Sequence, residues 1–101
     1  MAAYWIGSAQ VQDLKGIARY GELVTEAAPK YPYDVLVREA TNFKILEGFE
    51  DFNRFVVLRF PSTAAAMEYY NSPEYQEARA VRQAASGRCN LVIAEGHDKA
   101  R

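Results

Sequence analysis

Thiols, imidazoles and long apolar runs are all scarce in this chain. Cys89 is the only cysteine and His97 the only histidine among 101 residues. One chain therefore cannot close a disulfide, nor can it assemble a zinc site of the usual Cys/His type. Secreted domains of this size ordinarily carry several disulfides, so the expected compartment is reducing, that is, cytoplasmic. The apolar run Met1 to Ile6 stops at Gly7, too short for a signal core. No run approaches the ~18 apolar residues of a membrane span. Charge of one sign is also lacking: 12 basic against 13 acidic residues leave a net charge of -1, which excludes a partner held by phosphate neutralisation, such as nucleic acid. No Gly-x-Ser-x-Gly turn presents a nucleophilic serine. Gly16 to Gly21 has phosphate-loop spacing, but Glu22 stands where lysine is required. No metal, cofactor, nucleic acid or membrane is expected, and His97 reads as an exposed tail residue.

What is present suits one small folded domain. Half the residues are hydrophobic and 13% aromatic, enough apolar surface to offset the chain entropy lost on folding. The period of that apolar pattern changes along the chain. Tyr4 to Val11 has apolar groups on both parities and predicts a strand covered on both faces. From Asp13, a helix cap, the period lengthens, with Leu14, Ile17, Ala18, Val24 and Ala28 on one stripe up to Pro29. Gly16 and Gly21 each cost that helix about 1 kcal/mol relative to alanine, which suggests close packing on the sheet. Val35 to Arg38 and Phe43 to Glu47 predict a hairpin joined at Thr41-Asn42, followed by a polar loop over 50–53. Arg54 to Phe60 is the strongest strand signal, ended by Pro61. Ser62 or Thr63 caps a helix to Tyr70, and Ser72-Pro73 starts another whose face is Tyr75, Ala78, Arg82 and Ala85, with Gly87 beyond its end. Leu91 to Ala94 is the last strand.

This order is that of an α+β, ferredoxin-like βαββαβ sandwich, one domain over 1–96 with a frayed tail at 97–101. Helices cover one sheet face. By parity the other face carries Trp5, Leu36, Val57, Leu91 and Ile93, more apolar surface than a monomer leaves open. A second copy packed sheet to sheet, with a partly polar cavity between the sheets, is the expected cover.

Tyr4-Trp5-Ile6, Leu36-Val37-Arg38, Leu46-Glu47-Gly48 and Val56-Val57-Leu58 followed by Phe60-Pro61-Ser62 carry a resemblance. With Ser72-Pro73-Glu74-Tyr75-Gln76, Val92 and Glu95-Gly96, the chain resembles the bacterial domain of unknown function DUF1330. That family lies in the dimeric α+β barrel superfamily. The resemblance implies a homodimer of ferredoxin-like protomers and names no reaction.

Trp5, Arg38, Glu47 and Arg59 are the candidate ligand-binding residues; no catalytic residue is named. If Arg38 and Arg59 project into the inter-sheet cavity, two guanidinium groups can hold a carboxylate or phosphate bidentately, with Trp5 as a stacking platform. The competing reading has them paired with Glu47, Glu95 or a partner-chain acid to fix the dimer register, with Trp5 as interface core. Glu47 serves as a base if burial raises its pKa, or else as an ion-pair partner of Arg54 or Arg38. Tyr69, Tyr70 and Tyr75 crowd the helix break, read as packing with their hydroxyls at the surface. Three functions are therefore open: a small-molecule-binding dimer for an anionic or aromatic ligand, a cofactor-free monooxygenase- or isomerase-like enzyme, and a purely structural dimer.

Overall fold

A computed structural model describes residues 1–48 and 51–97. Part of the loop expected at 50–53 and most of the tail expected at 97–101 lie outside the described residues. The elements are β1 (Ala3–Val11), α1 (Leu14–Ala27), a 3-10 turn (Ala28–Lys30), β2 (Asp34–Glu39), β3 (Arg54–Phe60), α2 (Thr63–Tyr70), α3 (Pro73–Ala84) and β4 (Ser86–Glu95). The four strands form one antiparallel sheet in the order β2-β3-β1-β4. This is the ferredoxin-like α+β order, its second helix broken into α2 and α3.

Side-chain caps place the helices. Asp13 accepts from the amides of Lys15 and Gly16 at 3.1 and 3.2 Å, Ser62 from Ala65 at 3.0 Å and Ser72 from Tyr75 at 3.1 Å. Each satisfies a donor that the first helical turn leaves without a partner. The break between α2 and α3 is held by the same Ser72, whose hydroxyl donates to the Tyr69 carbonyl at 2.7 Å, and by Pro73 at the first helical position.

The core lies between the sheet and the helices. Trp5, Leu58 and Phe60 from the sheet meet Val24, Ala66, Tyr69, Tyr75 and Ala78 from the helices. Trp5 has Tyr75 edge-on at 5.0 Å and Tyr69 at 5.4 Å between ring centroids, contacts worth about 0.5–1.5 kcal/mol each beyond area burial.

The hairpin reading is corrected: β2 pairs with β3, and Phe43 to Glu47 is no strand. β3 takes the place beside β2 that the hairpin reading gave to the intervening segment. Phe43 instead rests on Phe55 at 5.9 Å, and Leu46 is 89% exposed. The α1 stripe is corrected as well: Leu14 and Ala18 are exposed, while Val24 and Ala27 are buried. Gly16 packs closely, as its cost implied, but against the end of α3 rather than the sheet. A Cβ there would stand 2.7 Å from that of Ala85.

The face assignment also needs correction. Trp5 lies opposite Leu58 and Ile93 in the ladder, and the side chains of these residues turn toward the helices. Trp5, Leu91 and Ile93 are therefore on the covered face, because only there do the rings of α2 and α3 surround an indole. The uncovered face carries Val37, Val57, Ile6 and Val92, which line up in register across all four strands. Polar Ser8, Glu39, Arg59 and Asp34 flank this apolar row.

Candidate functional site

The cavity of the protomer lies between the sheet and helices α1 and α3, and it exists because side chains are missing from its floor. Along the helix-facing side of β1 the residues are Ala3, Trp5, Gly7 and Ala9. The indole fills the first half, whereas Gly7 and Ala9 leave the second half low. The space over that gap is ≈ 50 Å³ and partly open to solvent, several times the ~10–15 Å³ needed to admit one water.

Its walls are aromatic and cationic. Tyr20 and Val24 come from α1, Tyr75 and Arg82 from α3, Val56 and Leu58 from β3, and Trp5 and Tyr69 close the back; Arg38 and Arg54 stand on the β2–β3 side. Among the described lining residues there are three arginines and no aspartate, glutamate or histidine. None of the three arginines has an ion pair among the described residues, where the pairs formed are Arg19 with Glu22, Lys30 with Glu74 and Arg59 with Asp34.

Arg82 is the deepest of the three. Its Nη2 donates to the Tyr75 hydroxyl at 3.3 Å, the Tyr75 and Tyr20 hydroxyls are 3.3 Å apart, and the guanidinium carbon lies 5.9 Å from the centroid of the Tyr20 ring. With Arg82 donating to Tyr75 and Tyr75 to Tyr20, the Tyr20 proton remains for a ligand. Arg82 Nε is buried with no hydrogen-bond partner. An unpaired buried donor costs about 1–3 kcal/mol, more when charged.

Protonation states follow from burial and neighbours. Burial opposes the charge of Arg82, but the hydroxyls of Tyr75 and Tyr20 outweigh it and hold the guanidinium above its ordinary value. Arg54 is lowered, first by burial and then by neighbouring Arg38, yet arginine remains charged throughout the working range. Burial pushes the Tyr75 and Tyr69 hydroxyls far above a tyrosine's ordinary value. Both are hydrogen-bonding phenols at neutral pH and not bases.

Of the residues singled out from sequence, Trp5 and Arg38 line this cavity. Arg38 reaches it through a β-bulge: the β2–β3 register shifts between Val35 and Val37, so Val35 pairs with Leu58 and Arg38 with Val56, both on the helix-facing side. Strict alternation had placed Arg38 on the opposite face, beside Arg59. Arg59 is indeed on that face, where it binds Asp34 at 2.8 Å. Glu47 is exposed in the segment before Gly48, outside the cavity. Arg82, Arg54, Tyr20 and Tyr75 complete the wall without having been selected. For Arg82 a signal was available, since a cation shares one helical face with Tyr75, Ala78 and Ala85, all of them buried.

The chain belongs to the family described as domain of unknown function DUF1330, whose model matches residues 2–97. No curated protein matches it. Among solved structures it is similar to a protein of unknown function from Rhodopseudomonas palustris, with 19% identity and a TM-score of 0.77 over 96% of this chain and 83% of that one. A dimeric ferredoxin-like protein of unknown function from Jannaschia sp. CCS1 shares 17% identity and a TM-score of 0.73, covering 95% and 100%. A protein described as a putative antibiotic biosynthesis monooxygenase, from Caulobacter crescentus CB15, shares 16% and 0.69, covering 96% and 91%. At these identities the likeness defines the fold.

Proposed function

We propose that this protein is a homodimer whose protomers each bind a small planar anion, a carboxylate on an aromatic or short apolar body, between the sheet and helices α1 and α3. The observation that carries this reading is Arg82 Nε, a buried charged donor without a partner, on a wall of three arginines and no acid among the described residues. An anion there gains charge-assisted hydrogen bonds from guanidinium groups that have no ion pair among the described residues. Trp5 and the tyrosines supply flat apolar contact for the rest of the ligand. The dimer draws on the apolar row Val37-Val57-Ile6-Val92 on the uncovered sheet face and on the dimeric description of the Jannaschia relative. A second copy is the cover that both imply. The enzymatic reading has only the fold behind it, since the cavity wall offers anion anchors and hydroxyls but no ordinary base among the described residues.

Trp5 is the only tryptophan and lines the cavity, so its fluorescence reports occupancy. Benzoate should change it saturably, and Arg82→Met should weaken that binding at least about tenfold, the loss expected for a hydrogen bond to a charged group. A wild-type protein whose emission and thermal midpoint ignore benzoate would overturn the reading.

A further inference from the structure

The three arginines are not gathered at one point of the cavity. Arg54 sits opposite Ala9 in the β3–β1 ladder, and Ala9 sits opposite Cys89 in the β1–β4 ladder. With adjacent strands about 4.8 Å apart, the β3 and β4 rows are separated by about 10 Å. Arg38, one strand further out, stands beside Arg54 on the β2–β3 side. Arg82 belongs to the opposite side: α3 runs into β4 at Ser86, and Cys89 of β4 is among the groups close enough to act on the Arg82 guanidinium. Between these poles the floor is apolar, made of Gly7, Ala9, Val56 and Leu58.

A single carboxylate satisfies one pole and leaves the other cationic and partly desolvated, which is unfavourable without a compensating charge. We infer that the cavity is built for a two-headed anion, a small dicarboxylate whose acidic groups sit at Arg82 and at Arg54–Arg38 with a short apolar spacer over Gly7 and Ala9. This rests on the anion-binding reading and narrows it to a substrate class. Gly7, Ala9, Val56 and Leu58 offer the spacer no polar side chain, which favours an apolar spacer.

The test compares each diacid with its own monoester, which keeps size and shape and removes one charge. Terephthalate against monomethyl terephthalate, and succinate against monomethyl succinate, are titrated into the full-length protein with benzoate as reference. In at least one pair the diacid should bind tenfold or more tightly than its monoester. That preference should vanish in Arg82→Met and, independently, in Arg54→Met, with folding checked by circular dichroism. Because the wild-type comparison requires no variant, a misfolded variant leaves the test intact. Equal affinities within both pairs, or diacids that fail to bind where benzoate binds, overturn the two-headed ligand and leave anion binding standing. Failure of benzoate and of every diacid alike overturns the anion-binding reading itself.

Discussion

Gly7 is the residue on which the cavity depends. Its missing side chain faces the helices, and a Cβ built there would meet only Asn90 O and Leu91 Cδ1 at an ordinary 3.6 Å. Glycine in a strand interior costs roughly 0.5–1 kcal/mol relative to alanine, so Gly7→Ala should raise stability by about that amount, read as a higher denaturant midpoint. Gly7→Leu should fill the space and abolish benzoate binding while the protein stays folded. A leucine variant that binds as tightly as wild type would place the ligand elsewhere. The charges at this site are guanidinium groups, and burial keeps Tyr75 protonated. Affinity for a carboxylate should therefore be flat between about pH 6 and 9 and fall only at acid pH, as the ligand itself takes up a proton. A titration that loses binding near neutrality would implicate a different group. At the surface, Glu74 is held below its ordinary value by a backbone hydrogen bond, Lys30 and Tyr31. Its contribution to stability is complete above the unfolded carboxyl range and is lost as pH falls through the lowered value.

At the scale of elements, the two glycines of α1 separate propensity from packing. A Cβ at Gly21 meets nothing within 4 Å, whereas one at Gly16 collides with Ala85. Gly21→Ala should gain about 1 kcal/mol. Gly16→Ala should lose that gain to overpacking of about 1–3 kcal/mol, and thermal midpoints of the two variants measured side by side decide it. The helices were the most legible elements, because Asp13, Ser62 and Ser72-Pro73 are local signals that act within one turn. The strands were legible in extent less reliably than in existence, and their faces least of all. The bulge in β2 that brings Arg38, still exposed, to the helix-facing side leaves no mark in a pattern of alternating residues. Trp5 was assigned to the wrong face because both parities of β1 carry large apolar groups, and only the rings of α2 and α3 break the tie. The cavity inherited that error. Read between two sheets, it gathers Arg38 with Arg59; read between sheet and helices, it gathers Arg38 with Arg54 and Arg82.

For the whole molecule, the proposed function divides the work between the two faces of the sheet: the covered face for the ligand, the uncovered face for the partner. Val57 and Ile6 stand in one row at the centre of the uncovered face, with Val92 56% exposed beside them. An apolar centre within a polar rim is the anatomy of a protein–protein interface. Val57→Lys should convert a dimer into a folded monomer by light scattering coupled to size-exclusion chromatography, since a buried like-charged pair across a two-fold axis is costly. A wild-type protein that elutes as a monomer would remove the dimer from the account without touching the cavity. The βαββαβ order could be read from the pattern of apolar residues, whereas the apolar face offered to a second copy was assembled from Trp5, Leu91 and Ile93, which the structure turns toward the helices. The cavity's position could not, because it depends on what a glycine leaves empty. The most direct measurement is a crystal structure of the protein grown with 4-bromobenzoate, whose bromine is located by its anomalous signal. The account predicts the ring over Gly7 and Ala9, between the sheet and α1–α3, with a carboxylate oxygen within hydrogen-bonding distance of Arg82 Nε or of the Arg54–Arg38 pair. A bromine between the two sheets of the dimer, or none in a cavity that remains open, would contradict it.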